Sequence, residues 1–232
     1  MLKNISLIFF IFCILSCKSG ENDGFKISGF TDSYISGSIA RLFRVEKQKK
    51  QVLDSTILEK GVFVFEGKVA NPDIYYITID NVIGALPIIV ANENFNLEIV
   101  TDSISASKVI GSKENDYINI YKNDSQYLRD EYKELSDKFQ DYRLKDDKEG
   151  MLAVKFSFDS LVLEKGKYDV SFIKKYPSTT LSALTLERIT MAKQITEEET
   201  NTLYNTLSKE IQETRAAKYA LEFIEEQKRK GN

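Results

Sequence analysis

The stretch FNLEIVTDSISASKVIGSKENDYINIYKNDSQYLRDEYKELSDKFQDYRL (95–144) contains the change of pattern that decides the fold. Its first part, residues 95–100, alternates apolar and polar side chains, which predicts a strand with one buried face. After Gly111 the apolar residues recur at steps of three, four and seven, which predicts an amphipathic helix. These periods bury different faces of the chain and require different secondary structure. We therefore place a domain boundary at Gly111, with Ser112 as the N-cap of the helix that follows.

Residues 25–111 are predicted to form an antiparallel β-sandwich or open barrel, because short strands recur with turn signals between them. The predicted strands are 25–30, 39–45, 52–58, 62–67, 73–79, 86–90 and 95–100. The short turn 59–61 ends in Gly61 and predicts a hairpin between its two flanking strands. Pro87 predicts an edge strand or a strand start. The basic residues Lys47, Lys49 and Lys50 are interpreted as part of an exposed hairpin turn.

Residues 112–232 are predicted to form an α-helical domain, so the fold class is α+β. We expect helices over 117–142, 151–174 and 209–230, a short helix capped by Ser178, and another that begins at the capping box Thr196–Glu199. The first helix carries an apolar and aromatic stripe, namely Tyr117, Tyr121, Leu128, Tyr132, Leu135, Phe139 and Tyr142. We interpret the stripe as the seam to a neighbouring helix, with a ligand-binding groove as the alternative.

The N-terminus is predicted to direct export and lipid attachment. Lys3 precedes an apolar run over 5–15 that is too short to span a bilayer. Residues 14–17, Ile-Leu-Ser-Cys, resemble the bacterial lipobox, which implies that 1–16 is a cleavable signal peptide and that Cys17 carries the lipid. Residues 17–24 would form a flexible tether. We expect a protein anchored in the cell envelope, at the outer membrane of a Gram-negative bacterium; an ordinary secretory signal is the alternative.

The composition excludes several classes of protein. The chain has 232 residues, no histidine, and two cysteines, Cys13 and Cys17. Catalytic triads and imidazole metal ligands are therefore excluded. Cys13 would leave with the signal and Cys17 would be modified, so the mature chain would have no redox pair or thiolate metal site. A formal net charge of −3 argues against nucleic acid. We predict no metal, no cofactor and no nucleic-acid partner.

Carboxylates are the remaining candidates for acid–base chemistry. The densest groups are Asp146–Asp147 and Glu197–Glu198–Glu199. Neighbours in sequence do not converge across a substrate as the two carboxylates of a glycosidase do, and glutamates suit the start of a helix. We interpret both groups as solvated surface and predict no catalytic residue. Residues 102–114 resemble a calcium loop only superficially, because Ile104 and Ala106 stand where oxygen ligands are required.

The β half resembles a known family, and the residues that carry the likeness are Asp54–Ser55, 61–67, Pro72, 75–77, Gly111–Ser112 and 115–117. Together they are similar to the domain of unknown function that precedes a thioredoxin-like domain in envelope lipoproteins of the Bacteroidetes type. The redox CxxC of that family has no counterpart here. We therefore expect a non-catalytic binding or assembly lipoprotein, with an envelope protein among its expected partners. The alternative is an accessory or truncated part of a thiol–disulfide oxidoreductase whose CxxC domain lies on another chain.

Overall fold

The computed structural model describes residues 23–33, 37–46 and 49–231. The predicted signal peptide, Cys17, residues 17–22 of the predicted tether, and Lys47 lie outside the described residues. None of the helices within the described ranges is both long and apolar enough to cross a membrane.

The N-terminal half is a sandwich of two four-stranded sheets, which confirms the predicted β-sandwich; the sheets do not close into a barrel. The strands are β1 Phe25–Thr31, β2 Ile39–Glu46, β3 Lys49–Ile57, β4 Val62–Gly67, β5 Asp73–Ile79, β6 Leu86–Val90, β7 Asn94–Ile99 and β8 Lys108–Ile110. One sheet has the order β4-β1-β7-β8 and the other β3-β2-β5-β6. Pro87 lies on β6, an edge strand, as predicted.

Two details of the strand pairing differ from the expectation. The sheets are not wholly antiparallel, because β1 and β7 pair in parallel. The predicted hairpin across 59–61 is also wrong, since β3 pairs with β2 in one sheet whereas β4 pairs with β1 in the other. Leu58 explains why the chain passes from one sheet to the other at this point. Its side chain is 1% exposed between the sheets, and its backbone forms hydrogen bonds with Gly37 and Ser38. Lys60 and Gly61 then turn the chain with positive φ.

The sandwich core follows from the alternation of the sequence. Every second residue of β5 is buried, so that Tyr75, Ile77 and Ile79 face the core. Phe65 from β4 and Leu97 from β7 are fully buried in the facing sheet. The basic residues at the start of β3 are exposed, and the Lys50 ammonium lies 3.9 Å from the centre of the Phe43 ring.

The C-terminal half contains seven described helices. They are α1 Lys113–Asp124, α2 Gln126–Leu144, α3 Lys148–Lys175, α4 Thr180–Met191, α5 Glu197–Thr206, α6 Lys209–Gln212 and α7 Arg215–Gly231. The α+β class is therefore confirmed, and so are the Ser112 N-cap and the capping box of Thr196 and Glu199. The N-cap of α4 is Thr179 and not the predicted Ser178.

Two helices that the sequence predicts as continuous are broken at polar residues. Ser125 separates α1 from α2, and its hydroxyl donates to the Tyr121 carbonyl at 2.6 Å. Glu213 and Thr214 separate α6 from α7, and the Thr214 hydroxyl donates to the Ile211 carbonyl at 2.7 Å. Hydroxyls that bond the backbone locally compete with the helical ladder. Such a bond does not by itself end a helix, since Ser157 and Ser160 make the same kind of bond inside α3.

The helices bury two apolar clusters that are separate from the sandwich core. One joins α2 to α3 through Leu128, Leu135, Val154 and Leu161. The other joins the end of α3 to α4, α5, α6 and α7, around Ile173, Leu186 and Ile189. No buried apolar cluster among the described residues includes members of both halves. This separation favours the boundary at Gly111, which stays a prediction.

Specific polar contacts join the halves. The Asn115 side chain on α1 accepts from the Ile89 amide at 2.9 Å and donates to the Ile89 carbonyl at 2.7 Å. Asn115 thus completes the free edge of β6 as a neighbouring strand would. The guanidinium of Arg215 on α7 donates hydrogen bonds to both carboxylate oxygens of Asp73 on β5, at 2.6 and 3.0 Å. It also donates to Glu187 of α4. These contacts fix the helices relative to the sandwich.

Candidate ligand-binding site

The carboxylates singled out in the sequence have structural roles. Asp147 is the N-cap of α3 and accepts from the Gly150 amide at 2.9 Å, while Asp146 occupies the preceding turn with positive φ. Glu199 belongs to the capping box of α5, and Glu197 pairs with Lys228. The hydrogen bond from Thr196 lowers the pKa of Glu199, as expected at the positive end of a helix. The structure does not bring the two groups together.

Residues 102–114 do not form a single loop. A 3-10 turn, Ile104–Ala106, and strand β8 lie between Asp102 and the start of α1. Ile104 is 4% exposed and packs into the sandwich core. Within the described ranges, no group of three or more acidic, His or Cys side chains is placed to hold a metal ion.

The aromatic stripe divides into two parts. Leu128 and Leu135 are buried against α3, with Phe139 and Tyr142 packed beside them, so this part is the predicted seam between helices. Tyr132 is 59% exposed and its ring lies 5.3 Å from that of Phe158. Tyr121 lies on the shorter helix α1, where its hydroxyl enters a cluster of charged side chains.

Asp169 is the centre of that cluster. It lies on α3 and is fully buried. Its Oδ1 accepts from the Tyr121 hydroxyl, and the Lys165 ammonium lies 2.5 Å away. Arg188 of α4 approaches Oδ2 to 2.7 Å, but none of its N–H groups points at that oxygen, so the contact is electrostatic. One buried carboxylate is therefore flanked by two cations and a phenol, on three different helices.

The cluster shifts the protonation of its members in ways that burial explains. Burial lowers the pKa of Lys165, and the nearby Arg188 lowers it further, while Asp169 opposes the shift. Burial and the hydrogen bond to Asp169 raise the pKa of Tyr121, so its phenol stays protonated. Burial also raises the pKa of the adjacent Tyr168, to about 12. The cluster places two cations, Lys165 and Arg188, against the single carboxylate of Asp169.

A cavity of about 510 Å³ opens beside the cluster, between α2 and α3. Its apolar wall consists of Leu128, Tyr132, Phe158, Leu161 and Val162. Its polar end consists of Tyr121, Ser125, Arg129, Lys165 and Gln194. Tyr121 also lines a second cavity of about 570 Å³, against α4, together with Arg188. A small number of polar groups at one end of an apolar cavity of this size is typical of small-molecule sites, which span roughly 300–1,000 Å³.

Sequence reasoning missed Asp169, although one signal was available. The segment LEKGKYDV (163–170) is rich in charge and looks like a solvated helix face. Asp169 nevertheless continues the buried stripe of α3, since it lies eight residues after Leu161 and four before Ile173. A charged residue on an apolar stripe predicts a buried ion pair, because an isolated buried charge is prohibitively costly. Its partners Tyr121 and Arg188 come from other helices, and local spacing does not reveal them.

The comparisons with known proteins bear on the β half. A family model described as a domain of unknown function, DUF4369, matches residues 25–117. This confirms the resemblance of the N-terminal half to a domain of unknown function. The match ends in α1, two residues beyond Asn115, and so includes the side chain that completes the edge of β6. A search of curated proteins and a search of solved structures each gave no match to the chain.

Proposed function

We propose that the protein is a non-catalytic lipoprotein of the bacterial cell envelope that binds a small molecule in its helical half. The observation that carries the binding role is the cavity of about 510 Å³ beside the Asp169 cluster. The groups available there favour binding over catalysis: Asp169 is ion-paired, and the phenol of Tyr121 is held protonated. The cavity wall is apolar, so a ligand would gain affinity from the area it removes from water.

The anchoring part of the proposal rests on the lipobox-like residues 14–17. Two or more acyl chains on Cys17 would hold the protein stably at the outer membrane, whereas a single chain gives only marginal binding. Cys17→Ala should abolish incorporation of labelled fatty acid and leave the signal uncleaved. Normal labelling of that variant would show that the anchor is assigned wrongly.

The binding part is tested with a neutral apolar probe, 1-aminoanthracene, and the chain from Lys18 onward, which retains every described residue. The fluorescence of 1-aminoanthracene should increase when the probe binds the wild-type protein. Val162→Phe should reduce the increase, because Val162 lines the cavity and a larger side chain there fills it. Leu163→Phe is the matched control, since Leu163 is the next residue, is 68% exposed and lies outside the cavity wall. If Val162→Phe and Leu163→Phe give the same fluorescence increase, the probe binds outside this cavity.

The accessory role beside a thiol–disulfide oxidoreductase predicts a protein partner instead of a small-molecule ligand. Crosslinking in intact cells distinguishes the two, because recovery of a CxxC protein as the principal product would favour the accessory role. The purified chain from Lys18 onward should itself show no reduction of a disulfide substrate, since its sequence contains no cysteine.

A further inference from the structure

We infer that the ligand of the cavity between α2 and α3 is an anionic amphiphile: an apolar chain with a carboxylate or phosphate head. The inference rests on the proposed binding function and specifies the chemistry of its ligand. The cavity combines an apolar wall with a cationic end.

The polar lining of the cavity is basic. Among the described residues that line the cavity, Lys165 and Arg129 are basic and none is acidic. Asp169, which pairs with Lys165 at this end, is fully buried and also faces Arg188. Burial lowers the pKa of Lys165, Arg188 and Arg129 lower it further, and Asp169 opposes the shift. Lys165 and Arg188 contact Asp169, and Arg129 lines the same end of the cavity, so this end carries an excess of positive charge. An anion entering from the cavity would balance it.

Free hydrogen-bond donors at the same end give the head group its position. The described residues accept from two of the three N–H groups of Lys165, through the Tyr121 hydroxyl and Asp169. Arg129 donates to Ser125, Gln126 and the Lys122 carbonyl, which uses three of its five N–H groups. The remaining donors suit a carboxylate or a phosphate, and charge-assisted hydrogen bonds are the stronger kind.

The apolar wall accounts for the chain of the amphiphile. Leu128 and Leu161 form the floor, and the rings of Phe158 and Tyr132 pack in a tilted arrangement, 5.3 Å apart, along one side. Val162 and Tyr132 leave 52% and 59% of their surfaces exposed, so a bound chain would cover apolar surface that now faces water. A ligand with a head alone would leave this wall uncovered, and a neutral chain would leave the charge at the other end unbalanced.

The test measures displacement of 1-aminoanthracene by ligands of matched chain length, together with direct calorimetry. Octanoate and octyl phosphate should each displace the probe at a concentration at least tenfold below that required for octanol or octyltrimethylammonium. Acetate and inorganic phosphate should not displace it. If only one of the two octyl anions acts, the head group is that one. If octanol displaces the probe as effectively as octanoate, the inference is overturned. It is also overturned if acetate and inorganic phosphate displace the probe as effectively as the octyl anions.

Lys165→Gln should weaken octanoate binding about tenfold, because it removes the charge but keeps a polar side chain. Lys167→Gln is the matched control, since it removes the same charge from an exposed position two residues away on α3. Val162→Glu provides a second variant at an exposed position: a carboxylate on the apolar wall should also weaken octanoate about tenfold, while Leu163→Glu should not. Unchanged octanoate affinity in both Lys165→Gln and Val162→Glu would refute the assigned pose.

Calorimetry separates failure of the inference from failure of the proposed function. If the neutral probe binds but octanoate gains nothing from its charge, the cavity is a binding site and the anionic head is wrong. If octanoate binds with the expected dependence on Lys165 although the probe does not, the anion site holds without a general apolar site. If neither binds, both are refuted.

Discussion

Replacing Asn115 by alanine tests whether a single side chain holds α1 to the edge of the sandwich. The amide of Asn115 satisfies both the N–H and the C=O of Ile89, a residue with no exposed surface. Alanine offers neither a donor nor an acceptor, so Asn115→Ala leaves two buried backbone groups without a partner. The Ser112 hydroxyl also loses one of its hydrogen bonds, since it accepts from the Asn115 side chain at 2.7 Å.

The cost follows from those two backbone groups. Each buried polar group left without a hydrogen bond costs about 1–3 kcal/mol, so the range for both is about 2–6 kcal/mol. Because β6 is an edge strand and water can enter the space that the amide leaves, we expect about 3 kcal/mol. For a chain of this size that corresponds to a lowering of Tm by roughly 6–12 °C.

Urea unfolding followed by circular dichroism measures the effect. Asn123→Ala is the matched control, because Asn123 lies on the exposed face of the same helix; its cost should stay within about 0.5 kcal/mol. Asn115→Asp keeps the acceptor for the Ile89 amide but places a carboxylate oxygen against the Ile89 carbonyl, so it should not recover the stability that alanine loses. A cost below about 1 kcal/mol for Asn115→Ala would show that this joint contributes little to stability.

Three further predictions concern the helical half. Asp169→Ala leaves Lys165 and Arg188 facing each other and should lower the free energy of unfolding by about 2–4 kcal/mol. This is at the lower end for a broken buried ion pair, because both cations are partly exposed. Asp159→Ala, at an exposed position on α3, is the control and should be nearly neutral in the same urea titration. Burial raises the pKa of Glu114, which accepts from the Thr180 amide, so the folded state binds this proton more tightly than the unfolded chain and stability should fall as pH rises from about 4.5 through the raised value. Glu114→Gln should remove that fall, which paired urea titrations at pH 4.5 and pH 7 would detect as a pH-dependent difference from wild type; an identical pH dependence would contradict the assignment. The fragment 112–232 should be soluble, strongly helical and cooperative in thermal unfolding, since its apolar clusters lie within it; aggregation, or the absence of a transition, would show that the two halves share one core.

The sandwich was largely predictable because alternation is a local signal. β4, β5 and β6 have the bounds that the sequence predicts, and the remaining predicted strands match to within a few residues. The crossing at Leu58 was not predictable in the same way. A short turn that ends in glycine has the same local chemistry whether the next strand returns to its own sheet or enters the facing one. The burial of Leu58 between the sheets decides the outcome, and that is a tertiary contact.

The site depended even more on tertiary contacts. The sequence placed Tyr121 on a stripe and offered a groove as the alternative to a seam, and the structure shows a seam at Leu128 and Leu135 with a cavity beside it. The break at Ser125 makes the difference, because it ends α1 after Tyr121 and begins a second helix. Asp169, Lys165 and Arg188 meet only once three helices have packed.

The position of β1 within its sheet has a mechanical consequence. β1 begins at Phe25, close to the predicted tether, yet it is an interior strand. It is held by six antiparallel residue pairs with β4 and six parallel pairs with β7. If the chain is pulled from its N-terminus along the axis of β1, the force enters a strand flanked on both sides, and both ladders are loaded in shear rather than opened one bond at a time. The folded part would therefore resist traction from a membrane at the very point where the tether joins it.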